Sequence, residues 1–472
     1  MKNKFKYLAK NVLLFALSNF VPKILTFLLI KVYTEKLSTA DYGLSDLLTT
    51  TASLLIPIFT IDIQDAVLRF SMDDDYNKKD VFTTAIKINL YGLLSIVIIS
   101  IFLNFFQIFN VNSYFYLFLV IYYFAGALQN SIILFCKGID KIKTIVVGSI
   151  ISTLTTIVAN ILFLIVFDFG IYGFLIANVL GIIFYDVYII FKEKLYIYIN
   201  NKLNKNTMFE MIKYSFPLVF NSVSWWVNNA SDRYILTFIS GISASGIYAI
   251  SYKIPNILAV FQSIFYQAWS ISAIKEFDKN DTDCFIGTIY TALSFLIVFL
   301  CSLLIILNIP LSTFLYSNDF FTAWKFIPPL LVSVVFNSLA LFIGGLLTAV
   351  KDTKTISFST IIGAIVNTIL NFLLIIFYGA YGAAIATLLG YFSVFLIRMI
   401  VLKKHMIMRF DKRVTFFTYF LVFVQMVVAY YGNLFLILQF IIMLIMLIIN
   451  YKYIMYIIIF LKKMIKSHLE NN

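Results

Sequence analysis

The 472-residue chain is 61% hydrophobic and only 12% charged, with a mean hydropathy of +0.94. Soluble domains carry about twice that share of charged residues, so the composition excludes a soluble enzyme and a disordered chain. Because a membrane-crossing helix needs about 20 apolar residues, the sequence predicts an all-α polytopic membrane protein with about 14 transmembrane helices.

The predicted spans follow from apolar windows separated by polar breaks. The basic N-terminus and the apolar run after it are interpreted as an uncleaved first span, because no small-residue cleavage site follows. The spans lie near residues 10–32, 43–66, 81–107, 114–136, 144–167, 171–191, 209–239, 244–274, 284–309, 325–350, 355–377, 380–402, 414–431 and 434–461.

The distribution of positive charge predicts the orientation. Of the 36 lysines and arginines, 27 fall in one set of alternate loops and three in the other. Cytoplasmic segments retain positive charge during insertion, so both termini are expected in the cytoplasm. Topology also accounts for the net charge of +13, and the sequence predicts no nucleic-acid partner.

The chain lacks the common signatures of catalysis and cofactor binding. Cys136, Cys284 and Cys301 are far apart, and the two histidines cannot form a metal site between them. No Gly-rich nucleotide loop and no G-x-S-x-G nucleophile motif occurs. We therefore expect no metal, no cofactor and no covalent chemistry.

An internal repeat predicts how the spans are organised. A Lys-Thr-Ile segment at 143–145 recurs at 354–356, Asn160 recurs as Asn371, and a Tyr-Gly-x-x-Ile-Ala-x-x-Leu-Gly segment at 172–181 recurs at 381–390. Each repeat unit then holds six spans. The predicted domains are a first lobe at 1–200, a second lobe at 201–405 and an additional two-helix segment at 406–472.

The repeat also predicts the symmetry. Because six is an even number, both lobes insert in the same sense and are expected to be related by a pseudo-twofold axis along the membrane normal, with a central cleft between them. The Gly-x-x-x-Ala-x-x-x-Gly ridge within each copy of the repeat is typical of close helix packing in lipid.

The loop counts leave six basic residues inside predicted spans, where a charge costs roughly 2.5 to 3.5 kcal/mol at the bilayer centre. Lys87, Arg398 and Lys452 are close to span ends, so their side chains are expected to extend to the interface. The other three are deeper and require another explanation.

Those deep cations predict a site for an anion. Lys23, Arg233 and Lys253 lie in spans 1, 7 and 8, and Asn228 and Asn256 lie on the same helices. Ammonium and guanidinium groups can replace the water shell of a pyrophosphate. These five residues are the predicted substrate-binding residues.

Prolines and acidic residues on the leading helices of each lobe suggest two further roles, as hinges and as ion-coupling residues or counter-ions. Proline inside a span removes a backbone hydrogen bond, so Pro22, Pro57, Pro217 and Pro255 are predicted hinges, although transmembrane helices also tolerate proline without moving. The acidic side chains are candidates for ion coupling or for counter-ions, and their spacing does not choose between the roles. They are Asp62, Asp65 and Asp232.

Several segments resemble the polysaccharide or O-antigen (lipid-linked oligosaccharide) flippases of the multidrug/oligosaccharidyl-lipid/polysaccharide exporter superfamily. They are Lys36–Gly43, Ala66–Phe70, Asp232–Leu236, Gly246–Tyr248 and Gln267–Trp269, within a resemblance that covers about residues 1–405. The resemblance implies a two-lobed fold, alternating access and movement of an undecaprenyl-pyrophosphate-linked oligosaccharide from the cytoplasmic to the outer leaflet.

The expected function is therefore lipid-linked oligosaccharide flipping for polysaccharide biosynthesis in the bacterial cytoplasmic membrane. The expected partners are the glycolipid, the bilayer, and a glycan polymerase or glycosyltransferases of the same pathway. A cation-coupled multidrug exporter of the same fold is the first alternative, although acidic rather than basic cavity residues would suit cationic drugs. A membrane glycan polymerase or glycosyltransferase is the second, although the longest exterior segment, 310–323, is short for such an enzyme.

Overall fold

The structure is a computed structural model that describes residues 27, 29–106, 112–200, 203–275 and 277–452, without the side chains of residues 268, 271, 275, 433 and 434. Throughout these ranges every regular element is a helix, which confirms the all-α polytopic prediction. Nine helices of the described ranges are long and apolar enough to cross a membrane. One of the nine has 53 residues, enough for two crossings.

The chain divides into two compact units, Met1–Tyr234 and Ile235–Asn472. The division falls inside a long helix that begins in the first unit and ends in the second. The predicted lobe boundary at residue 200, the central cleft and the pseudo-twofold axis stay predictions.

The first unit contains the helices of predicted spans 1 to 6 and most of span 7. Most of span 1, including Lys23 and Pro22, lies outside the described residues. The helices are α1 at 29–36, α2 Thr39–Phe59, α3 Ile63–Ser71, α4 Lys78–Phe105, α5 Ser113–Gly138, α6 Ile142–Asn160 with a π-helical continuation Ile161–Val166, α7 Gly170–Lys192 and α8 Lys205–Ser240.

The second unit contains the remaining helices. Its described part ends at residue 452, within predicted span 14. The helices are α9 Ile242–Ser251, α10 Pro255–Lys275, α11 Phe285–Ile306, α12 Asn308–Leu315, α13 Ile327–Ala349, α14 Thr353–His405, α15 Lys412–Ala429 and α16 Leu436–Ile449.

Predicted span 2 is broken between α2 and α3. Ile61 and Asp62 adopt φ of 54° and 51°, a left-handed conformation that non-glycine residues rarely take. The break follows Pro57, whose carbonyl accepts the Asp62 N–H at 2.9 Å. Gly92 of α4 lies against it, because a Cβ there would be 2.8 Å from the Phe59 carbonyl oxygen. The two-part span is therefore built into the packing of the first unit.

The other predicted hinges occupy different positions. Pro255 is the first residue of α10, after a break at 252–254, where its missing N–H has no helical partner to lose. Pro217 lies within α8, which is helical from Lys205 to Ser240. Whether these positions bend during function stays a prediction.

The repeated segments form equivalent helical hairpins, α6–α7 in one unit and the two parts of α14 in the other. The turn between the two parts of α14 is at Gly379, where φ is 55°. A Cβ at Gly181 would be 3.2 Å from the Ser152 carbonyl oxygen, and one at Gly390 would be 3.3 Å from that of Gly363. The repeated glycines therefore let paired helices approach closely, as the ridge predicts.

The apolar core of the first unit fixes α3. Buried side chains of α3, α4, α5 and α7 form one cluster that includes Ile63, Val67, Phe82, Phe135 and Ile189. Because α3 buries the face that begins at Ile63, the residue immediately before it is held in place. That residue is Asp62.

Candidate functional site

A row of polar contacts joins α2 to the part of α8 that lies in the first unit. We call this row the polar seam. It consists of Asp46, Thr50 and Thr51 on α2 with Trp226, Arg233 and Tyr234 on α8.

The charged centre of the polar seam is an ion pair. Arg233 Nη1 lies 3.4 Å from Asp46 Oδ2 and donates to Thr50 Oγ1 at 3.2 Å. Their side chains keep 18% and 20% of their exposure, so the pair is neither dry nor fully solvated. A guanidinium in this setting can exchange one anionic partner for another without being left uncompensated.

Neutral contacts hold the helices on either side of that pair. The Trp226 indole N–H donates to the Thr50 carbonyl at 2.9 Å, and the Tyr234 and Thr51 hydroxyls are 2.6 Å apart. These contacts position the backbone from which Arg233 projects.

The sequence points to Arg233 as a deep cation but not to its partner, Asp46. Asp46 lies seven residues after Thr39 at the start of α2, and Arg233 lies seven residues before Ser240 at the end of α8. At 1.5 Å per residue, each is about 10 Å from its helix end. A comparison of these two depths would have indicated the pair.

Two other predicted residues on α8 are buried. Asn228 and Asp232 are 8% and 2% exposed and lie one helical turn apart. Asp232 Oδ1 accepts the backbone N–H of Arg233 at 2.9 Å. A role for Asp232 as counter-ion to Lys23 or Lys253 stays a prediction.

In the second unit, Lys253 lies in the break between α9 and α10. Its side chain is half-buried, and its backbone N–H donates to the Ile250 carbonyl at 3.0 Å. Asn256 follows within the first turn of α10 and is exposed. Both predicted substrate contacts of this unit therefore lie at this break or just after it.

The predicted ion-coupling residues at the break of span 2 differ in environment. Asp62 is 2% exposed and accepts a hydrogen bond from Ser222 Oγ at 2.6 Å, whereas Asp65 is exposed. Ser222 belongs to α8, so Asp62 connects the break to α8, the helix that the polar seam joins to α2. Within the described ranges, no group of three or more His, Cys, Asp or Glu side chains could hold a metal ion.

The expectation that Arg398 extends to the interface is wrong. The side chain is 3% exposed, and its guanidinium donates to Ala340 O at 2.8 Å, to Ser359 Oγ at 3.0 Å and to Thr360 Oγ1 at 3.0 Å. Hydroxyl and carbonyl oxygens of α13 and of the first part of α14 lie beside the Arg398 guanidinium. Its hydrogen bonds are therefore made inside the protein and not to water. Arg398 joins helices inside the second unit.

Comparisons with known proteins agree with this description. A family model described as "Polysaccharide biosynthesis protein" matches residues 8–271. A membrane protein of Methanocaldococcus jannaschii, described as uncharacterised, is 25% identical over 425 residues, which is 85% of this chain and all of that protein.

Solved structures share the fold at low identity. The lipid II flippase MurJ in an inward closed conformation is 15% identical with a TM-score of 0.71, over 96% of this chain and all of that one. An inward-facing multidrug resistance MATE family transporter is 11% identical with a TM-score of 0.60, over 82% and 98%. These matches confirm the expected fold, and the family model confirms the resemblance to polysaccharide biosynthesis proteins. Because the family model covers more than half of the chain, the protein belongs to the polysaccharide biosynthesis protein family.

Proposed function

We propose that the protein is a flippase that moves a polyprenyl-pyrophosphate-linked oligosaccharide from the cytoplasmic to the outer leaflet by alternating access. Membership of the polysaccharide biosynthesis protein family supports the glycan cargo. The fold shared with a lipid II flippase supports a transport mechanism in which no covalent bond is made or broken.

The observation that carries the proposal is the Arg233–Asp46 pair in the polar seam. A charged pair inside a membrane protein is expensive and is usually retained for function. Without cargo, Asp46 compensates Arg233. Pyrophosphate oxygens can take the place of the carboxylate, because guanidinium groups bind phosphate with two parallel hydrogen bonds.

The remaining predicted contacts extend this site. Lys23 and Lys253 would share the pyrophosphate charge with Arg233, while Asn228 and Asn256 would bind polar groups of the head group. Asp232 would be a counter-ion when the site is empty. Breaks beside Pro57 and Pro255, with Pro22 and Pro217, would allow the leading helices to bend.

The setting follows from the same hypothesis. The protein would lie in the bacterial cytoplasmic membrane with both termini in the cytoplasm, as the loop charges predict. It would receive cargo from glycosyltransferases of the pathway and deliver it to a glycan polymerase on the other side.

Complementation of a flippase-deficient cell tests the proposal. Arg233→Ala, Lys23→Ala and Lys253→Ala are each expected to lower surface glycan about 10- to 100-fold at equal protein level, because each removes a charge-assisted hydrogen bond. Lys87→Ala, a half-buried cation of α4, is the matched control and is expected to export normally.

Wild-type export by all three variants would contradict the proposal. The same strain separates it from the multidrug-exporter alternative. Drug sensitivity with normal surface glycan after deletion would favour export of drugs instead.

A further inference from the structure

We propose that the Asp62 carboxylate, at the break between α2 and α3, binds a small monovalent cation, either a proton or Na⁺. This inference rests on the proposed transport function, since it identifies the residue that would bind the coupling ion.

Asp62 is a buried carboxylate without a capping role. It is 2% exposed and precedes the first residue of α3, yet its side chain makes no capping hydrogen bond to that helix. Ile61 and Asp62 both keep a left-handed backbone, which costs free energy at non-glycine residues. Such strain needs support from the surroundings, and it places the carboxylate inside the unit.

The partners of Asp62 in the described part of the chain are neutral. Ser222 Oγ donates to Oδ2 at 2.6 Å, and the Gln64 amide donates to Oδ1. No lysine or arginine of the described residues forms an ion pair with it. Two neutral donors only partly offset the cost of a buried negative charge, and a bound cation would remove that cost.

Oxygen atoms around the carboxylate suit such a cation. Thr60 is fully buried, and its hydroxyl lies 3.2 Å from Gln64 Oε1, so a turn of that amide would present its oxygen to the same place. The negative end of α2 and the positive end of α3 meet at this break, so the two helix dipoles roughly offset each other there. Proteins bind hard cations with oxygen ligands of these kinds.

The titratable groups on the helices around Asp62 make no bond to its carboxylate within the described residues. α3 packs against α4 and α5, and Ser222 brings in α8. Six titratable side chains on these helices form no hydrogen bond or ion pair with Asp62 in the part of the chain that the structure describes. They are Asp65 and Arg69 on α3, Lys87 on α4, Tyr123 and Lys137 on α5, and Lys213 on α8.

Cation binding at Asp62 would act on the helix that carries Arg233. The ionised carboxylate accepts the Ser222 hydrogen, whereas a protonated or Na⁺-bound carboxylate has less capacity to accept it. Ser222 and Arg233 are 11 residues apart on α8, about 16 Å along the axis. Occupancy of Asp62 would therefore bias the position of the helix that contacts the cargo.

The test uses the full-length protein in lipid nanodiscs without glycolipid. NaCl is titrated against choline chloride by calorimetry, and the protonated-carboxyl infrared band is followed against pH in choline buffer. Wild type is expected to give a saturable Na⁺ heat or a titrating carboxyl component whose C=O frequency is resolved from that of the exposed Asp and Glu side chains. Asp62→Asn is expected to abolish that signal, and Asp65→Asn, three residues away and exposed, is expected to keep it.

Ser222→Ala distinguishes the two ions and remains informative if Asp62→Asn folds poorly. Loss of its hydroxyl removes a hydrogen bond to the ionised carboxylate, so proton binding should tighten about tenfold. The same change removes an oxygen ligand, so Na⁺ binding should weaken about tenfold. No change in either signal would overturn the proposal.

Two further outcomes would overturn the proposal. One is a signal that survives in Asp62→Asn, and the other is wild-type protein with neither signal. Because these measurements need no glycolipid, their failure is distinct from failure of complementation by the Arg233 variant.

Discussion

Two arginines, one in each unit, lie inside predicted spans and are held in different ways. Arg233 faces the Asp46 carboxylate and one hydroxyl, and 18% of its side chain remains exposed. Arg398 is 3% exposed and donates to two hydroxyls and two backbone carbonyls, with no carboxylate among these partners. The first arrangement can exchange its anion, whereas the second has no charged partner to exchange.

The difference separates a binding role from a structural one by chemistry rather than by position. A fully buried guanidinium with neutral oxygens around it ties its helices together, and displacing it would leave several donors without acceptors. A partly exposed guanidinium with a carboxylate can accept phosphate oxygens at small cost. Membrane depth alone does not distinguish the two.

Exchange of the charges in the polar seam is expected to have the largest effect. Arg233→Asp and Asp46→Arg should each abolish export, because each places like charges together at membrane depth. The double variant restores an ion pair but moves the cation to α2. Thermal unfolding should therefore recover while surface glycan stays near background.

If the double variant exports normally, Arg233 serves only to hold α2 against α8, and the comparison with Arg398 fails. Thermal stability and export are measured on the same preparations, so that each serves as the control for the other.

Truncation of Arg398 tests the structural side of the comparison. Arg398→Ala should lower the free energy of unfolding by about 2 to 4 kcal/mol, because it leaves a cavity and removes several hydrogen bonds. Arg398→Met keeps much of the volume and should lose about half as much. Denaturation in detergent measures both.

Export per folded molecule should be unchanged in both Arg398 variants. A specific loss of export with normal stability would assign Arg398 to cargo binding and contradict its structural role.

Removal of one hydroxyl beside each arginine makes a matched pair. Thr360→Val should cost about 1 to 2 kcal/mol of stability, because the buried Arg398 loses one acceptor there. Thr50→Val should cost less than about 1 kcal/mol, because Arg233 keeps Asp46 and some exposure. Equal costs would show that exposure does not separate the two sites.

A further small effect is expected at the start of α14, the helix that carries Arg398. Asp352 accepts hydrogen bonds from the Thr355 N–H and hydroxyl, which hold the pKa of its carboxyl below the usual range. Asp352→Ala should cost about 1 kcal/mol as a lost helix cap.

The pH dependence of that cost follows from the lowered pKa of Asp352. A carboxyl with a lowered native-state pKa contributes its stability above the unfolded-state value, about 3.9, and loses it as pH falls through the native-state value. The gap between wild type and Asp352→Ala should narrow below about pH 4. A gap that is unchanged at low pH would mean that the carboxylate contributes nothing through its charge.

Most of the fold follows from the sequence because apolar length and loop charge are local properties. Each predicted span that the structure describes corresponds to one helix, part of a helix, or two consecutive helices. The sequence does not predict the break at Ile61 and Asp62. The left-handed backbone there packs against Gly92, a residue of another helix. The periodicity of one segment does not predict a contact with another helix.

The candidate site was predicted in part. Arg233 stood out because an arginine inside an apolar span is conspicuous, whereas Ser222 did not, because serine is common in transmembrane helices. Arg398 was misjudged, since its distance from the span end said nothing about the oxygens that the two adjacent helix segments supply. Charge is visible in a sequence, but the partners that decide its role are not.

Trp226 can serve as an intrinsic fluorescent reporter of the contact between α2 and α8. Its indole N–H bonds the Thr50 carbonyl within the polar seam, and its ring lies 5.3 Å from that of Tyr234. The chain has four tryptophans, so a variant with phenylalanine at the other three would leave Trp226 as a single fluorophore. Its emission would then report separation of α2 from α8 in real time, without an attached dye.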